Sequence, residues 1–555
     1  MTGETDDDRI RARVEFLNAR YRDPAAGAAQ LLCDSHDPSA LAYRIIDGDL
    51  VGKDLTYGEL RLESEKLASA FSTLGIRPGD RVATLMGKSR EYLVTLMAIW
   101  RLGAVHVPLF TAFAPSAIAM RLEGSRAVAV VCDAGQQHKL APGEDMPADA
   151  TWHIISTGPG GGGVLSFSRL LDEGVPGFEA VRLGGEAPII HIYTSGTTGK
   201  PKAVIVPQRA LAAFQAYAEF GQGVREDDVF WCAADPGWAY GLYFGVLATF
   251  TTGVRSILYA GGFSPEATMA ILEREHVTNF AAAPTVYRAL CQADLGEGRL
   301  LHLRCASSAG EPLTPDVNEW AVDALGVEVH DHYGQTEAGM VINNHHHPLV
   351  RRPIKAGAMG HAMPGWSATI LAEESDEPVG VGTVGRVALV VKESPLLWFH
   401  GYDGDPAKTA EKFTADGRYY VTGDTGSVDE EGYFHFSARD DDVIIMAGYR
   451  IGPFEVESAM ISHPAVSEAA VIAVPDQVRG EVMEAYVVLA PGKQPSAELE
   501  REIQQWVKTH YAAHAFPRRV HFADALPRTP SGKVQRFVLK QRRKEELAEM
   551  NGSNA

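Results

Sequence analysis

The stretch that decides the reading is IYTSGTTGKPKAV, Ile192 to Val204, which places four serine or threonine hydroxyls, two glycines and two lysines within thirteen residues. Between Thr194 and Lys202 the only apolar side chain is Pro201. Just before it, IIHIY (Ile189–Tyr193) has the composition of a strand. A strand running into small hydroxyl and glycine residues suits the wrapping of an anion. Glycines let backbone N–H groups approach, hydroxyls donate, and Lys200 and Lys202 add charge. The order is not that of a Walker A loop, in which Gly-Lys-Ser/Thr opens a helix, because Pro201 follows Lys200 here. A Ser/Thr/Gly surface loop shares this composition, so the rest of the chain must decide.

Outward from that loop, helical and strand patterns alternate. In LTYGELRLESEKLASAFSTLGIRPGDRVATLM (Leu55–Met86), Leu60, Leu67, Ala68 and Phe71 recur at helical spacing, and RVATLM follows the turn RPGD as a strand. EYLVTLMAIWRLGAVHVPL (Glu91–Leu109) repeats the theme. Such alternation implies an α/β architecture with largely parallel sheets. From about residue 440, RDDDVIIMAGYRIGPFEVESAMISHPAVSEAAVIAVPD and EVMEAYVVLAPG read as short strands around one helix, with another helix at 498–511. That is a small α+β domain of about 110 residues. The expected division is a disordered lead at 1–8, a large domain at 9–440, a small domain at 441–540 and a tail at 541–555.

The 555 residues carry a formal charge of 51 − 71 = −20, which disfavours nucleic acid and anionic membrane as partners. Five scattered cysteines (Cys33, Cys132, Cys232, Cys291 and Cys305) form no CxxC pair and fit a reducing cytoplasm. The polar start MTGETDDDRIRARVEF is no signal peptide, and no apolar run approaches the roughly 20 residues needed to span a bilayer. STGPGGGGVLSF (Ser156–Phe167) reads as a flexible connection. NNHHHP (Asn343–Pro348) reads as a solvated loop rather than a metal site, since adjacent residues do not share one face. Oligomeric state is not legible.

Seven segments in order, YTSGTTGKPK, SSAGEPL, DHYGQTEAG, YYVTGD, RDDDVI, GYRIGP and PRTPSGKVQR, resemble the adenylate-forming superfamily of acyl-CoA synthetases, aryl-CoA ligases, luciferases and peptide-synthetase adenylation domains. The resemblance runs from LTYGEL to GKVQR, and the C-terminal half is most similar to the acetyl-CoA and medium-chain acyl-CoA synthetase branches. It implies a large N-terminal domain, a mobile C-terminal domain, and a reaction in two steps. A carboxylate attacks the α-phosphate of Mg-ATP to give acyl-AMP, and CoA then displaces AMP.

By the same resemblance, Thr194, Ser195, Gly196, Thr197, Thr198, Gly199, Lys200 and Lys202 hold the β- and γ-phosphates. Glu337, with Thr197, binds Mg²⁺, a hard cation suited to carboxylate oxygen, and Thr336 donates to the α-phosphate. Gly310, Glu311, Pro312 and Asp331, His332, Tyr333, Gly334 and Gln335 form the adenine pocket. Asp424 takes the ribose hydroxyls, with Arg439 nearby. Lys533 is the catalytic lysine that meets the developing charge, and Arg450 binds phosphate in one state. Asp441 is the hinge; Ala447, Gly448 and Tyr449 line the pantetheine tunnel, and Lys508 meets a CoA phosphate. Trp238, Ala239, Tyr240, Gly241, Ala309 and Gly334 line the acyl pocket.

Acetate-specific relatives carry tryptophan where Gly334 stands, so an opened pocket and a medium-chain, branched, aromatic or polycyclic acid are expected. Ala203 and Ala438 replace the commoner glycines. Were their backbones at positive φ, alanine would cost about 1 kcal/mol or more, leaving an enzyme that only thioesterifies acyl-AMP made elsewhere. A stand-alone adenylation enzyme loading a carrier protein is the other alternative.

Overall fold

The computed structural model describes residues 5–552 apart from 195–200, 294, 296–298, 312, 314, 440–441, 443, 447–448, 452, 477–479, 511–514 and 530–532. Its elements follow from local chemistry. Thr56 caps the helix Tyr57–Thr73 by accepting from the Glu59 N–H, while the Glu59 carboxylate reaches back to the Thr56 N–H. Leu60, Leu67, Ala68 and Phe71 are buried on one face, and the strand Arg81–Leu85 follows.

The acidic lead departs from expectation. Instead of disorder through residue 8, a helix runs from Asp6 to Arg22, closed by a reciprocal Thr5–Asp8 capping box. Asp6, Asp7 and Asp8 in its first turn complement the helix dipole. Val14, Leu17 and Tyr21 are buried, and Arg13 pairs with Glu219 at 2.6 Å.

Two sheets organise the large domain. In the seven-stranded sheet, the five successive pairings from Val164–Ser166 to Pro188–Thr194 are parallel, and Lys202–Pro207 adds an antiparallel edge. The thirteen-stranded sheet has a parallel centre: Leu41–Ile46, Arg255–Tyr259, Val229–Cys232, Asn279–Ala282, Cys305–Ala309 and Val329–Gln335. Antiparallel strands continue beyond it through Gly339–Asn343 to Tyr419–Val428. Ligands of open α/β sheets sit beyond the carboxyl ends of the parallel strands, and here those ends carry Thr194, Ala309 and Gln335.

The glycine-rich STGPGGGG segment joins the parallel edge strands His153–Ser156 and Val164–Ser166, as a connection should. The small domain has its own core, including Val456, Met460, Ile472, Tyr486 and Ile503 around a five-stranded sheet. Its last helix, Arg536–Gly552, contributes Leu539 to that core and pairs Arg543 with Glu484 at 2.6 Å. Residues 541–552 therefore continue a packed helix, not a tail. Cys33, Cys132, Cys232 and Cys305 are buried free thiols, and Cys291 is half-buried. Among the described residues no helix is long and apolar enough to cross a membrane.

Candidate active site

A cavity of about 790 Å³ lies where the two domains meet, lined by Trp238, Gly310, Glu337 and Asp424 from one and by Lys533 from the other. The Lys533 ammonium stands 5.8 Å from the centre of the Trp238 ring. Its turn is tied locally: the Lys533 N–H donates to the Thr529 hydroxyl (3.0 Å) and the Thr529 N–H to the Lys533 carbonyl (2.7 Å). The joint is also bridged by charge. Glu311 accepts from Arg288 (2.8 Å) and faces Arg528 of the small domain (3.8 Å), which in turn pairs with Glu468 (2.7 Å). Glu311, expected in the adenine pocket, lines the cavity with its carboxylate engaged in this bridge.

At one end Asp424 is held by two donors on a single oxygen, Tyr333 Oη and Gln335 Nε2 (2.7 Å). Gln335 is fixed in turn, donating to the Thr422 carbonyl (2.8 Å) and accepting from Tyr420 (3.0 Å). The second oxygen of Asp424 thus has a set direction. Tyr333, expected in the adenine pocket, orients Asp424 through its hydroxyl, and Tyr420 steadies Gln335 behind it. Arg439 lies opposite Asp424 in strand register. Asp331 is half-buried; desolvation pushes its carboxyl up to about 7, and it accepts from the Leu313 N–H at 3.4 Å.

At the other end Thr194 pairs with Lys202 across the antiparallel edge, so the cradle closes from strand to strand and no helix follows it. Ser195, Gly196, Thr197, Thr198, Gly199 and Lys200 lie outside the described residues. The Lys202 ammonium sits 5.1 Å over the Tyr402 ring, and Tyr402 donates to Glu337 Oε1 at 2.7 Å. Backbone ties between Asp403 and Ala203 (2.9 Å) and between Tyr402 and Val204 fix this tyrosine to the cradle strand. A buried carboxylate lining the cavity is the hard-oxygen donor that Mg²⁺ takes, so Glu337 fits that ion. Thr336 lines the cavity beside it, its carbonyl accepting from Tyr243 at 3.2 Å.

The acyl side brings Trp238, Ala239 and Gly334 to the cavity wall. Ala309 is buried at its strand end, and Tyr240 and Gly241 lie in the helix Ala239–Leu242. Gly310 has φ +107°, and a Cβ there would stand 3.0 Å from the Trp238 ring, so only glycine admits this packing. Gly334 corrects the sequence expectation. A Cβ on it would meet the Gly339 carbonyl oxygen at 2.2 Å and the Met340 sulfur at 2.6 Å. Glycine lets the strand Gly339–Asn343 fold back at the bulge beside Tyr333; the direction a side chain would take is filled by backbone and Met340, not open.

Of the remaining expected residues, Pro312, Asp441, Ala447 and Gly448 lie outside the described residues. Tyr449 and Arg450 are described as backbone only, in the strand Tyr449–Ile451. Lys508 is not among the residues lining the cavity; its ammonium stacks over Phe516 at 4.0 Å. Ala203 and Ala438 are not among the positive-φ positions, so the strain that would have favoured a thioesterification-only enzyme is absent at both.

The histidine run is also corrected. His345 and His346 are buried rather than solvated, and His346 stacks on His330 with ring centres 3.5 Å apart. Ligand atoms of His330, His332 and His346 lie within 4.8 Å of one another. A carbonyl can only accept, so His330 Nδ1 and His332 Nε2 both donate to the Asn344 oxygen (2.7 and 2.9 Å), and His346 Nε2 donates to the Ala306 oxygen (3.0 Å). His332 Nδ1 then accepts from Tyr217 (2.7 Å), whose hydroxyl also meets that of Tyr240 at 3.0 Å. Both His332 nitrogens are committed, so the cluster is a packed hydrogen-bond network. Desolvation holds the His330 imidazole down to about 4, keeping it neutral.

Comparison with known proteins places this geometry. Residues 35–397 match the AMP-binding enzyme family, and residues 455–533 match the AMP-binding enzyme C-terminal domain. The chain is 36% identical over 500 residues to an acetyl-coenzyme A synthetase of Bacillus subtilis (strain 168), covering 87% of this chain and 84% of that protein. A crystal structure of an acyl-CoA synthetase from Brucella canis superposes with a TM-score of 0.74 at 41% identity, covering 97% of both chains. The anthranilate CoA ligase AuaEII in complex with anthranoyl-AMP superposes with a TM-score of 0.84 at 27% identity, covering 95% of this chain and 98% of that one.

Proposed function

Because this chain belongs to the family of AMP-binding enzymes, as an AMP-forming acyl-CoA synthetase using ATP, CoA and Mg²⁺, we propose that it carries out both half-reactions at the cavity between its domains. What carries the reading is Lys533, a small-domain residue set against Trp238 in the cavity that also holds Glu337 and Asp424.

Asp424 accepts the ribose hydroxyls, while Thr194, Lys202 and the loop between them hold the β- and γ-phosphates. Glu337 would hold Mg²⁺, whose contribution is to neutralise phosphate charge. The acid's carboxylate oxygen attacks the α-phosphorus, the bond to pyrophosphate breaks, and Lys533 meets the charge that gathers there. Thr336 donates to the same phosphate. The small domain then turns about Asp441 and brings Ala447, Gly448 and Tyr449 to the pantetheine arm. The CoA sulfur forms its bond to the carbonyl carbon and AMP leaves. Arg450 and Lys508 serve phosphate in one of the two arrangements.

We read the acid as medium-chain, branched, aromatic or polycyclic rather than acetate. Support comes from small Ala239 beside the apolar walls of Phe110 and Trp238, no longer from Gly334. Each buried methylene adds about 0.8 kcal/mol, which favours the longer acid in such a pocket. The scattered free thiols favour a reducing cytoplasm as its setting.

The test is pyrophosphate release with Mg-ATP and acids from acetate to octanoate, benzoate and bulky polycyclic acids, with and without CoA. Turnover confined to one class beyond acetate is expected. Best turnover with acetate would overturn the acid assignment, and thioester formed only from synthetic acyl-AMPs would overturn the first half-reaction.

A further inference from the structure

Arg101, Arg121, Arg209 and Arg543 are buried arginines. Arg101 pairs with Asp34 (2.5 Å), Arg209 with Glu186 (3.0 Å) and Arg543 with Glu484 (2.6 Å). Arg121 differs. It is 6% exposed and lines the main cavity, yet among the described residues no carboxylate pairs with it. One nitrogen donates to the Ala117 carbonyl of its own helix at 2.8 Å. The guanidinium lies 4.1 Å from the Phe113 ring centre and 5.7 Å from that of Tyr193. Burial pushes its pKa down to about 10, which still leaves it charged at neutral pH. Its other donors have no protein partner among the described residues and open onto the cavity, where an anionic ligand would supply the missing counter-charge.

Strand geometry narrows the source of that charge. Successive residues of Pro188–Thr194 face opposite sides of the seven-stranded sheet. Ile192 packs into the main core, while Tyr193 packs with Phe113 against a separate cluster on the other face. Thr194, which opens the ATP cradle, shares the Ile192 face, and Arg121 lies over Tyr193. The cavity therefore wraps around the end of this strand, with the cradle on one side and an uncompensated cation on the other.

We propose that Arg121 is a binding residue for a phosphate group of CoA, entering on the sheet face away from the ATP cradle. This rests on the ligase reading, and CoA is the second nucleotide that reading requires. The planar fork of arginine suits two phosphate oxygens, and the aromatic faces of Phe113 and Tyr193 hold the fork flat.

The experiment measures CoA, dephospho-CoA, pantetheine and Mg-ATP on the full chain by calorimetry and by half-reaction kinetics, for wild type, Arg121→Met and Arg121→Lys. Wild type alone tests the ligase reading: if it binds neither Mg-ATP nor CoA, that reading fails and this assignment with it. With wild type binding both, Arg121→Met is expected to weaken CoA by ~10- to 100-fold, with Arg121→Lys intermediate. Pantetheine, which lacks the nucleotide phosphates, should change far less, and the melting temperature should not fall. Unaltered CoA affinity in Arg121→Met, equal loss for pantetheine, or a loss confined to Mg-ATP would each overturn the assignment while the ligase reading stands. Were the methionine variant misfolded, the lysine variant keeps the test: it retains charge and loses the bidentate fork, so CoA affinity equal to wild type would also overturn it.

Discussion

The two ends of the active-site cavity are built differently. Asp424 stands on a strand, with one oxygen locked by Tyr333 and Gln335 and those partners locked by Tyr420 and Thr422. Lys533 reaches its place by a long side chain from another domain, against the Trp238 ring and beside a charged bridge. On the function proposed above, the group that recognises what is common to every turnover, the ribose, is fixed in advance, and the group that serves only one of two steps is delivered. Preorganisation is worth most where geometry never changes, and a delivered cation can be withdrawn once its step is over.

Lys533→Gln breaks the comparison most severely. Loss of a positioned donor should lower acyl-adenylate formation by about 100- to 1,000-fold, measured as pyrophosphate release, while thioester formation from synthetic acyl-AMP and CoA falls far less. Equal loss in both would mean that Lys533 is not delivered for one step. Asp424→Asn tests the fixed end. Charged hydrogen bonds contribute about 1.5–3 kcal/mol, so the KM for ATP should rise about 10- to 100-fold, and both half-reactions should suffer because AMP is held throughout. Gly334→Ala forces a methyl group onto the Gly339 carbonyl. It should destabilise the fold by about 1–3 kcal/mol in chemical denaturation without shifting preference among acids; a shift would restore Gly334 as a pocket residue.

Smaller effects sharpen the picture. Gln335→Leu removes a donor one step behind the ribose and should raise the KM for ATP by about fivefold, near 1 kcal/mol, with kcat little changed. Arg528→Ala cuts the bridge between the domains. Partly exposed ion pairs contribute about 0–1 kcal/mol, so the balance between the half-reactions should move less than about fivefold, and less again at high salt.

The residues expected in the site could be picked out because they sit in short runs, and the fold brings Thr194, Lys202, Gly310, Glu337, Asp424 and Lys533 to one cavity. The partners that hold them could not be picked out. Tyr402 and Glu337 are 65 positions apart in the chain and meet only when an edge loop docks on the cradle strand. Tyr420 lies inside the quoted YYVTGD segment but nothing there tells that it holds Gln335, and nothing local marks Arg121. His346 looked solvated because burial is decided by what stacks on it, here His330. Gly334 misled for the opposite reason: an absent side chain leaves room only if the neighbouring strand stays away, and Gly339 does not. The first helix, by contrast, could have been found. Thr5 and Asp8 write its capping box into a stretch whose acidity suggested disorder.

The buried cysteines have a chemical consequence. An acyl-adenylate is a mixed anhydride, ready to acylate whichever nucleophile meets it first. Desolvation pushes the thiols of Cys33 and Cys232 up to about 12 and those of Cys132 and Cys305 up to about 11. At neutral pH each is then a thiolate in only ~10⁻⁴ of molecules or fewer. The four buried thiols are therefore poor nucleophiles towards an acyl-adenylate. Among these sulfurs the competition then favours the thiol that arrives from solution.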